Sequence, residues 1–259
     1  MEKQVVVITG ASGGIGAALA RRLGRDGHAL ALAARRETEL RAVAEASGPD
    51  ALAVSTDVTK RDEVERLRDM ALERFGRVDV WVNNAGRGIN RPVLELTDDD
   101  LDEMLLVNVK SALYGMQAIV PHFVERGSGH VVNVSSFLGR VPLAANRSAY
   151  NAAKHALNAL TANLRMDLRA RHPGVHVTLV MPGLVDTEFA RNAVGGASAP
   201  APAGPMKPQT ADEVADVIAG VIANPVAEVY TNPASPEMAR RYFEDVGAFE
   251  AMIGQRAPA

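Results

Sequence analysis

Short apolar runs of β-branched residues and alanine recur seven times along this chain, and segments with helical spacing of apolar residues lie between most of them. The runs are continuous, which indicates strands buried on both faces, as in a parallel sheet covered by helices with right-handed crossovers. We therefore expect an α/β fold, a doubly wound parallel sheet in a single domain over residues 1–259. The predicted strands are Val5–Ile8, Ala29–Ala34, Ala51–Ser55, Val78–Val82, Val131–Val134, Val175–Val180 and Glu228–Tyr230. The predicted helices are Ile15–Leu23, Glu39–Ala46, Glu63–Phe75, Leu101–Val124 and Ala149–Arg169.

Charge and composition narrow the classes of partner. The 28 basic and 31 acidic residues are spread along the chain and give a net charge of -3, so no face for nucleic acid or anionic lipid is expected. Apolar stretches are too short for a signal-peptide core or a bilayer span, and there is no cysteine. The six histidines lack neighbours at ligand spacing, so we expect no metal. These features predict a cytoplasmic protein that binds a small molecule, without membrane contact.

Two segments differ from the rest of the chain. Gly195–Pro208 is rich in small residues and proline, which disfavour a helix or a central strand. We expect a mobile loop over residues 188–208, with a linker between domains as the alternative. Residues 234–259 are expected to form a helical tail whose apolar stripe packs against the body or another subunit. The stripe consists of Met238, Tyr242, Val246, Phe249 and Ile253.

A glycine-rich segment, TGASGGIG, directly follows the first predicted strand and precedes an amphipathic helix. Gly10, Gly14 and Gly16 let the backbone approach a ligand closely, and the helix N-terminus attracts a pyrophosphate. The spacing is not the G-x-G-x-x-G of the standard dinucleotide fingerprint. A tight turn without a ligand is the structural alternative.

The same segment matches a second motif. Gly10–Gly14 has the G-x-S-x-G pattern of a nucleophile elbow, with Ser12 as the nucleophile of a serine hydrolase. An elbow needs an earlier strand and loop to supply half of its oxyanion hole, and only nine residues precede Gly10. We therefore disfavour the hydrolase.

Two arginines follow the second predicted strand. A dinucleotide site often places an acidic residue about 20 residues beyond the glycine loop, where it binds the ribose hydroxyls. Ala34 stands at that point, and Arg35 and Arg36 offer charge and fork geometry for a 2′-phosphate. The pair favours NADP(H) over NAD(H). Two arginines that merely begin a solvated helix are the alternative.

Tyr150 and Lys154 form a Tyr-x-x-x-Lys pair on one predicted helix. They lie one turn apart on the same face, about 6 Å along the axis. A phenol with a pKa near 10 is a poor acid or base at neutral pH, and a neighbouring cation lowers that pKa. Such a pair alone is more often packing or surface, so its weight depends on the motifs that accompany it.

Those motifs are Asn83–Gly86 (NNAG), VNV around Asn108, and VVNVSS ending at Ser136, fourteen residues before Tyr150. With TGASGGIG they resemble the classical short-chain dehydrogenase/reductase family from about Val5 to Thr187. The resemblance implies a Rossmann-type sheet and an oxidoreductase that moves a hydride between nicotinamide and a carbonyl or secondary alcohol carbon.

The resemblance also implies a catalytic tetrad of Asn108, Ser136, Tyr150 and Lys154. Tyr150 would be the general acid in reduction and the general base in oxidation, while Ser136 hydrogen-bonds the substrate oxygen. Lys154 would hold the nicotinamide ribose and lower the Tyr150 pKa, and Asn108 would hold a water that relays protons. Ser135 is a lesser candidate for the role of Ser136.

By the same resemblance, cofactor contacts come from the glycine loop, the second to fourth strand ends and the segment after the sixth strand. The expected contacts are Gly10, Ser12, Gly14, Ile15, Gly16, Arg35, Arg36, Asp57, Val58, Asn84, Ala85, Gly86, Tyr150, Lys154, Pro182, Gly183, Val185 and Thr187. A capping role is the alternative for Asp57, and a structural turn for NNAG. Gly13 stands where NADP-preferring relatives often carry a basic residue.

Substrate, assembly and a rival function remain open at this point. A nucleotide-sensing or scaffold protein that has lost its chemistry is the rival, but all four tetrad positions carry competent side chains. The expected pocket residues are apolar or small, which favours a hydrophobic ketone or alcohol under a loop that closes over it. They are Phe137, Leu138, Leu143, Phe189 and Gly195–Pro208. The family suggests a homodimer or homotetramer, in which the small face Ala152, Ala156, Ala159 and Asn163 could pack.

Overall fold

A computed structural model describes residues 3–196 and 207–254, and a parallel sheet lies at its centre. Within these ranges the sheet has seven strands in the order β3-β2-β1-β4-β5-β6-β7, and every neighbouring pair is parallel. The strands are β1 (Val5–Thr9), β2 (Ala29–Ala34), β3 (Ala51–Ser55), β4 (Val80–Asn83), β5 (Gly129–Val134), β6 (Val175–Met181) and β7 (Glu228–Tyr230). The predicted doubly wound α/β fold is confirmed.

Helices cover both faces of the sheet. The helices α1, α2 and α7 pack on one face and α3, α5 and α6 on the other. Their bounds are α1 (Gly14–Arg25), α2 (Glu37–Ser47), α3 (Arg61–Phe75), α4 (Asp98–Leu105), α5 (Ser111–Arg126), α6 (Ser148–Arg169), α7 (Ala211–Ala223), α8 (Ser235–Glu244) and α9 (Val246–Gly254). Short 3-10 turns lie at Val93–Glu95 and Phe137–Gly139.

The first strand shows why the apolar runs are continuous. Val5 and Val7 face the layer that contains α3 and α5, whereas Val6 and Ile8 face the layer that contains α1 and α7. Since side chains alternate along a strand, both faces of β1 need apolar residues. Successive residues of β1 are therefore all apolar, and polar residues do not alternate with them.

The expected helix over Leu101–Val124 is present, but it is not a regular α-helix throughout. A π turn at Leu106–Lys110 separates α4 from α5. Asn108 lies in this turn, and its side-chain Nδ2 donates to the Met104 carbonyl at 3.1 Å. A side-chain amide that bonds a carbonyl one turn back competes with the regular helical ladder, and π turns often occur at functional sites.

The C-terminal stripe packs against the body. Met238, Tyr242, Phe249 and Ile253 join a cluster around the buried Phe137, while Val246 is 40% exposed. The tail is thus helical over α8 and α9, and residues 255–259 lie outside the described residues.

The expected mobile loop is only partly described, because residues 197–206 lie outside the described residues. Its first part is tethered: the Val194 N–H donates to the Gly88 carbonyl at 2.9 Å, and the Asn90 N–H donates to the Val194 carbonyl at 2.8 Å. Closure of the loop stays a prediction. Among the residues that the structure describes, no helix has the length and apolar character needed to span a bilayer.

Two helical glycines provide a matched test of packing. A Cβ atom on Gly24 of α1 would lie 1.9 Å from the Ser47 carbonyl oxygen at the end of α2, whereas one on Gly220 of α7 would meet nothing within 4 Å. We expect Gly24→Ala to lower the free energy of unfolding by about 1–3 kcal/mol through overpacking. Gly220→Ala should raise it by about 0.5–1 kcal/mol. Urea unfolding measures both; equal signs would contradict the close α1–α2 contact.

Candidate active site

A crevice opens where the strand order reverses, between the carboxyl ends of β1 and β4. Thr9 joins the two strand ends, because its Oγ1 accepts from the N–H groups of Asn84 at 3.0 Å and Ala85 at 3.1 Å. In return, Asn84 Nδ2 donates to the Thr9 carbonyl at 2.9 Å. The first turn of the glycine loop is therefore fixed against the NNAG segment. The sequence analysis missed Thr9, although it immediately precedes the glycine loop.

Glycine is required at two places in this crevice. Gly10 has φ +68°, and a Cβ atom there would lie 2.8 Å from the Cα of Ala85. A Cβ atom on Gly16 would lie 2.4 Å from the Gly10 carbonyl oxygen. The backbone is thus packed so closely that only residues without a side chain fit, and the α1 N-terminus is left without a side-chain cap.

The space above the loop fits a dinucleotide phosphate. A cleft of about 550 Å³ is lined by Ser12, Gly13 and Gly14 on one side and by Asp186 and Thr187 on the other. Uncapped N–H groups at the start of α1 are suited to phosphate oxygens. Of the expected contacts, Ile15 and Val185 pack mainly against the adjoining core.

The segment after β6 forms the far wall. The Pro182 carbonyl accepts from the Phe137 N–H at 2.7 Å, and the Asp186 N–H donates to the Gln209 carbonyl at 2.9 Å. Thr187 Cγ2 lies 3.5 Å from the position of a Cβ atom on Gly14. This segment, with Gly183 in it, therefore runs from the sheet edge to the glycine loop.

Arg35 and Arg36, which follow β2, have different surroundings: one is exposed and the other lies on the glycine loop. Arg36 covers the glycine loop: its Nε lies 3.3 Å from Ser12 Oγ, and its Nη2 donates to the Ser12 carbonyl at 3.2 Å. A Cβ atom on Gly13 would be 2.8 Å from that Nη2, so the guanidinium occupies the space that a side chain there would take. Arg35 is exposed near Asp57. Within the described residues the side chain recorded at Ser12 Oγ is the Arg36 guanidinium, a donor that cannot serve as the base of a hydrolase.

Asp57 and Val58 follow β3, and both contact neighbouring parts of the protein. The Asp57 carboxylate accepts from the backbone N–H of Thr59 at 3.1 Å and from its hydroxyl at 2.8 Å. Burial raises the Asp57 pKa, but these two hydrogen bonds outweigh it and the pKa is lowered. Val58 packs against the core. Asp57 therefore stabilises a turn before α3 and does not cap that helix, whose N-cap is Lys60, and an adenine contact stays a prediction.

Three of the four tetrad side chains meet beside the crevice. Tyr150 is 7% exposed, and the Ser136 side chain, 8% exposed, lies near enough to act on the Tyr150 pKa. Lys154, 3% exposed, donates from Nζ to the Val134 carbonyl at 3.0 Å and lies 5.7 Å from the centroid of the Tyr150 ring. The end of β5 and the first two turns of α6 thus place a hydroxyl, a phenol and an ammonium together.

Asn108, the fourth tetrad residue, lies near Lys154, and Gly86 is next to both side chains. A Cβ atom on Gly86 would lie 2.8 Å from Asn108 Oδ1 and 3.7 Å from Lys154 Nζ. The Asn108 side chain is fixed by the backbone of Arg87, donating to its carbonyl at 2.9 Å and accepting from its N–H at 3.2 Å. The π turn therefore places the amide at the edge of the same opening.

Burial shifts both ionisable groups of the Tyr-Lys pair. It raises the pKa of Tyr150 to about 12, although the Ser136 hydrogen bond and the positive charge of Arg147 act in the opposite direction. It lowers the pKa of Lys154 to about 8. The phenol is thus held in its protonated form, against the expectation that Lys154 lowers its pKa, because burial has the larger effect. The Lys154 ammonium is close to titration near neutral pH.

Two neighbours of the tetrad differ from expectation. The Ser135 hydroxyl donates to Asn158 Oδ1 at 2.5 Å, and Asn158 Nδ2 donates to the Gly139 carbonyl at 2.7 Å. Ser135 therefore braces β5 against α6, away from Tyr150. Phe137 is 1% exposed in the C-terminal cluster, so it does not line a pocket. Asn158 was missed, since nothing near it in the sequence signals this role.

A cleft of about 550 Å³ at an uncapped helix N-terminus and a buried Tyr-Lys pair, both at the carboxyl ends of the strands, define the class of nucleotide-dependent oxidoreductases. The chain belongs to the short-chain dehydrogenase family, whose model matches residues 4–196. It is an oxidoreductase that acts on CH–OH or C=O groups with NAD(P).

Relatives of this family include an uncharacterized oxidoreductase of Staphylococcus epidermidis, 35% identical over 187 residues, which cover 72% of this chain and 80% of that protein. A short-chain dehydrogenase/reductase of Burkholderia phymatum in complex with NAD has a TM-score of 0.85 at 29% identity, over 100% of this chain and 97% of that one. An alcohol dehydrogenase of Thermococcus sibiricus, complexed with 5-hydroxy-NADP, has a TM-score of 0.78 at 32% identity, over 90% and 98%.

Proposed function

We propose that this chain is an NADP(H)-dependent reductase or dehydrogenase of hydrophobic ketones or secondary alcohols, with Tyr150 as the acid and base. The observation that carries the proposal is the burial of Tyr150, Ser136 and Lys154 together beside the glycine crevice, with Lys154 Nζ 5.7 Å from the centroid of the Tyr150 ring. A nucleotide-sensing protein would not need a buried phenol and ammonium there, because burying both groups costs free energy.

Each tetrad residue then has a task. Bound in the crevice, NADP(H) supplies or accepts the hydride. Tyr150 gives its hydroxyl proton to the substrate oxygen in reduction and takes it back in oxidation. Ser136 holds that oxygen, which orients the carbon and stabilises developing negative charge. Lys154 binds the nicotinamide ribose, while Asn108 holds the water that returns protons to solvent.

The preference for NADP(H) rests on Arg36, with Arg35 beside it. The Arg36 guanidinium lies over Ser12 and Gly13 at the mouth of the crevice, where it meets the part of a dinucleotide next to the second strand. A 2′-phosphate there would replace Glu39 and Glu188, which lie 3.5 and 3.8 Å from Arg36 Nη1. Both cofactor types occur among the relatives, so the arginines carry this choice.

The apolar character of the substrate rests on Phe189 and Leu138, because Leu143 packs with Phe137 in the C-terminal cluster. The Phe189 ring is 36% exposed and its centroid lies 5.6 Å from that of Tyr150. Leu138 packs beside Tyr150 as well. An apolar group on the substrate would cover these surfaces.

The oligomeric state and cellular location of this chain are inferred from its family. We infer a homodimer or homotetramer in the cytoplasm, with the exposed Ala152 and Ala159 of α6 among the small residues available for close helix contact. Light scattering that gives a monomer mass would contradict this.

The pH dependence of reduction should report Lys154. Because the Tyr150 pKa is raised to about 12, its acid form is present throughout the neutral range. Lys154 must stay protonated, and burial lowers its pKa to about 8. We expect kcat/KM for reduction to be constant below this value and to fall as pH rises through it. Initial rates from pH 6 to 10, with circular dichroism to exclude unfolding, test this; a flat profile would contradict it.

The decisive experiment for the function is a panel of cyclic, aryl and short aliphatic carbonyl compounds, each assayed with NADPH and NADH in parallel. We expect turnover of cyclic and aryl ketones with NADPH to exceed that of short polar aldehydes. The panel should be run with wild type and with Tyr150→Phe. Equal turnover by the two proteins would rule out the proposed chemistry.

A further inference from the structure

Asn158 links the two ends of the segment that carries Ser136. It lies on α6, one turn after Lys154, and both atoms of its amide are hydrogen-bonded. Its Oδ1 accepts from the Ser135 hydroxyl at 2.5 Å, and its Nδ2 donates to the Gly139 carbonyl at 2.7 Å. Ser136 lies between these two bonded positions, so a single side chain of α6 fixes the segment on either side of it.

The Ser136 hydroxyl is oriented from within the same segment. Its Oγ accepts from the Leu138 N–H at 3.1 Å, and the Ser136 carbonyl accepts from the Gly139 N–H at 3.0 Å. A hydroxyl that accepts a hydrogen bond still has its own proton to donate. The direction in which Ser136 offers that proton therefore depends on the position of the 3-10 turn Phe137–Gly139.

This turn lies directly against the helix that carries the Tyr-Lys pair. A Cβ atom on Gly139 would lie 2.9 Å from the carbonyl oxygen and from Cβ of Lys154. On the other side, the Ser135 N–H donates to the Val180 carbonyl at 2.8 Å, which fixes the segment to β6. Asn158 adds a polar link between the turn and α6, so it affects how the hydroxyl and the phenol are placed relative to each other.

The two hydrogen bonds of Asn158 are not equally replaceable. The Ser135 hydroxyl, in a residue that is 5% exposed, has a second acceptor in the Lys154 carbonyl at 3.4 Å. The Gly139 carbonyl belongs to a buried residue, and loss of Asn158 would withdraw a donor from it. Because a buried acceptor that loses its donor costs free energy, the turn would move to regain one.

We propose that Asn158 is a positioning residue for the reaction, which holds the turn after β5 so that the Ser136 hydroxyl points at the substrate oxygen. The inference rests on the proposed function and adds to it a residue outside the tetrad. Asn158 itself would contact neither the substrate nor the cofactor. Since a misplacement of about 1 Å in a positioned group can cost about 100-fold in rate, loss of Asn158 should affect catalysis more than the binding of NADPH.

The first test separates the two hydrogen bonds. Asn158→Ala removes both, and we expect kcat/KM for ketone reduction to fall by about 10- to 100-fold while the Kd for NADPH stays unchanged. Ser135→Ala removes only the bond to Oδ1 and should have the smaller effect. Asn158→Asp keeps the acceptor for Ser135, and its carboxyl can donate to the Gly139 carbonyl only when it is protonated. The kcat/KM of this variant should therefore rise as the pH falls from neutral to about 5, whereas that of wild type stays constant.

A double-mutant cycle tests whether Asn158 acts through Ser136. In Ser136→Ala the hydroxyl is absent, so the addition of Asn158→Ala should lower kcat/KM no further. Asn163→Ala is the control, because it makes the same substitution at an exposed position of α6, and it should match wild type. Thermal unfolding of every variant identifies any loss of fold.

Losses that add in the cycle would overturn the inference and assign Asn158 to the stability of the fold alone. An Asn158→Asp pH profile parallel to that of wild type, or wild-type rates in Asn158→Ala, would overturn it as well. If Asn158→Ala does not fold, Asn158→Asp at neutral pH takes its place in the cycle. The proposed function itself fails only if wild type reduces no carbonyl compound.

Discussion

Tyr150→Phe is expected to lower kcat by about 10²–10⁴-fold, the usual contribution of a positioned general acid. The substitution removes one hydroxyl near Ser136 and keeps the buried ring, whose centroid lies 5.6 Å from that of Phe189. The fold and the affinity for NADPH should therefore be nearly unchanged. Single-turnover rates, NADPH fluorescence titration and thermal unfolding separate these effects.

Tyr114→Phe is the matched control. Tyr114 lies on α5 under the guanidinium of Arg61, whose carbon is 4.4 Å from the ring centroid, and the same atom is removed there. This variant should retain wild-type rates. A small loss in Tyr150→Phe, similar to that of the control, would mean that the proton comes from another group.

The double variant Arg35→Ala/Arg36→Ala should weaken NADPH binding by about 10²–10⁴-fold, since each charge-assisted hydrogen bond to a phosphate contributes about 1.5–3 kcal/mol. NADH lacks the 2′-phosphate, so its Kd should change little. The cofactor preference would then reverse or disappear. Calorimetric titration of both cofactors measures the two dissociation constants directly.

Arg41→Ala serves as the control for this experiment. Arg41 lies on the same helix, α2, and is exposed in an ion pair with Glu37, away from the glycine loop. Its loss should leave both dissociation constants unchanged. An equal loss of NADH and NADPH affinity in the double variant would indicate that the arginines shape the loop without recognising the phosphate.

The sheet could be predicted from the sequence because burial on both faces leaves a strong local signal. Val5–Ile8 and Ala29–Ala34 are continuous apolar runs, and nothing but a covered parallel sheet accommodates them well. The interruption at Leu106–Lys110 left no such signal, because the apolar spacing continues through it without glycine or proline. Only Asn108, a side chain that competes for helical carbonyls, indicated a departure from the regular ladder.

The site was predictable to the extent that its residues lie in contiguous motifs. Tyr150 and Lys154 lie on one helix, so their proximity follows from spacing alone. Contacts between distant segments could not be predicted from spacing, because they depend on how the loops cross. Examples are Arg36 with Gly13, Thr9 with Asn84, and Arg147 with Gly88. The expectation for Phe137 failed for the same reason, since only the folded chain brings the C-terminal helices over it.

Because Asn108 lies in a π turn, its side chain could be lost without a change in the sheet and the helices that surround it. A π turn amounts to a single surplus residue within an otherwise ordinary helix, so losing that residue restores the standard pitch while the segments on either side keep their places. Descendants of such a chain could therefore discard the amide by one short deletion and retain a folded, nucleotide-holding body.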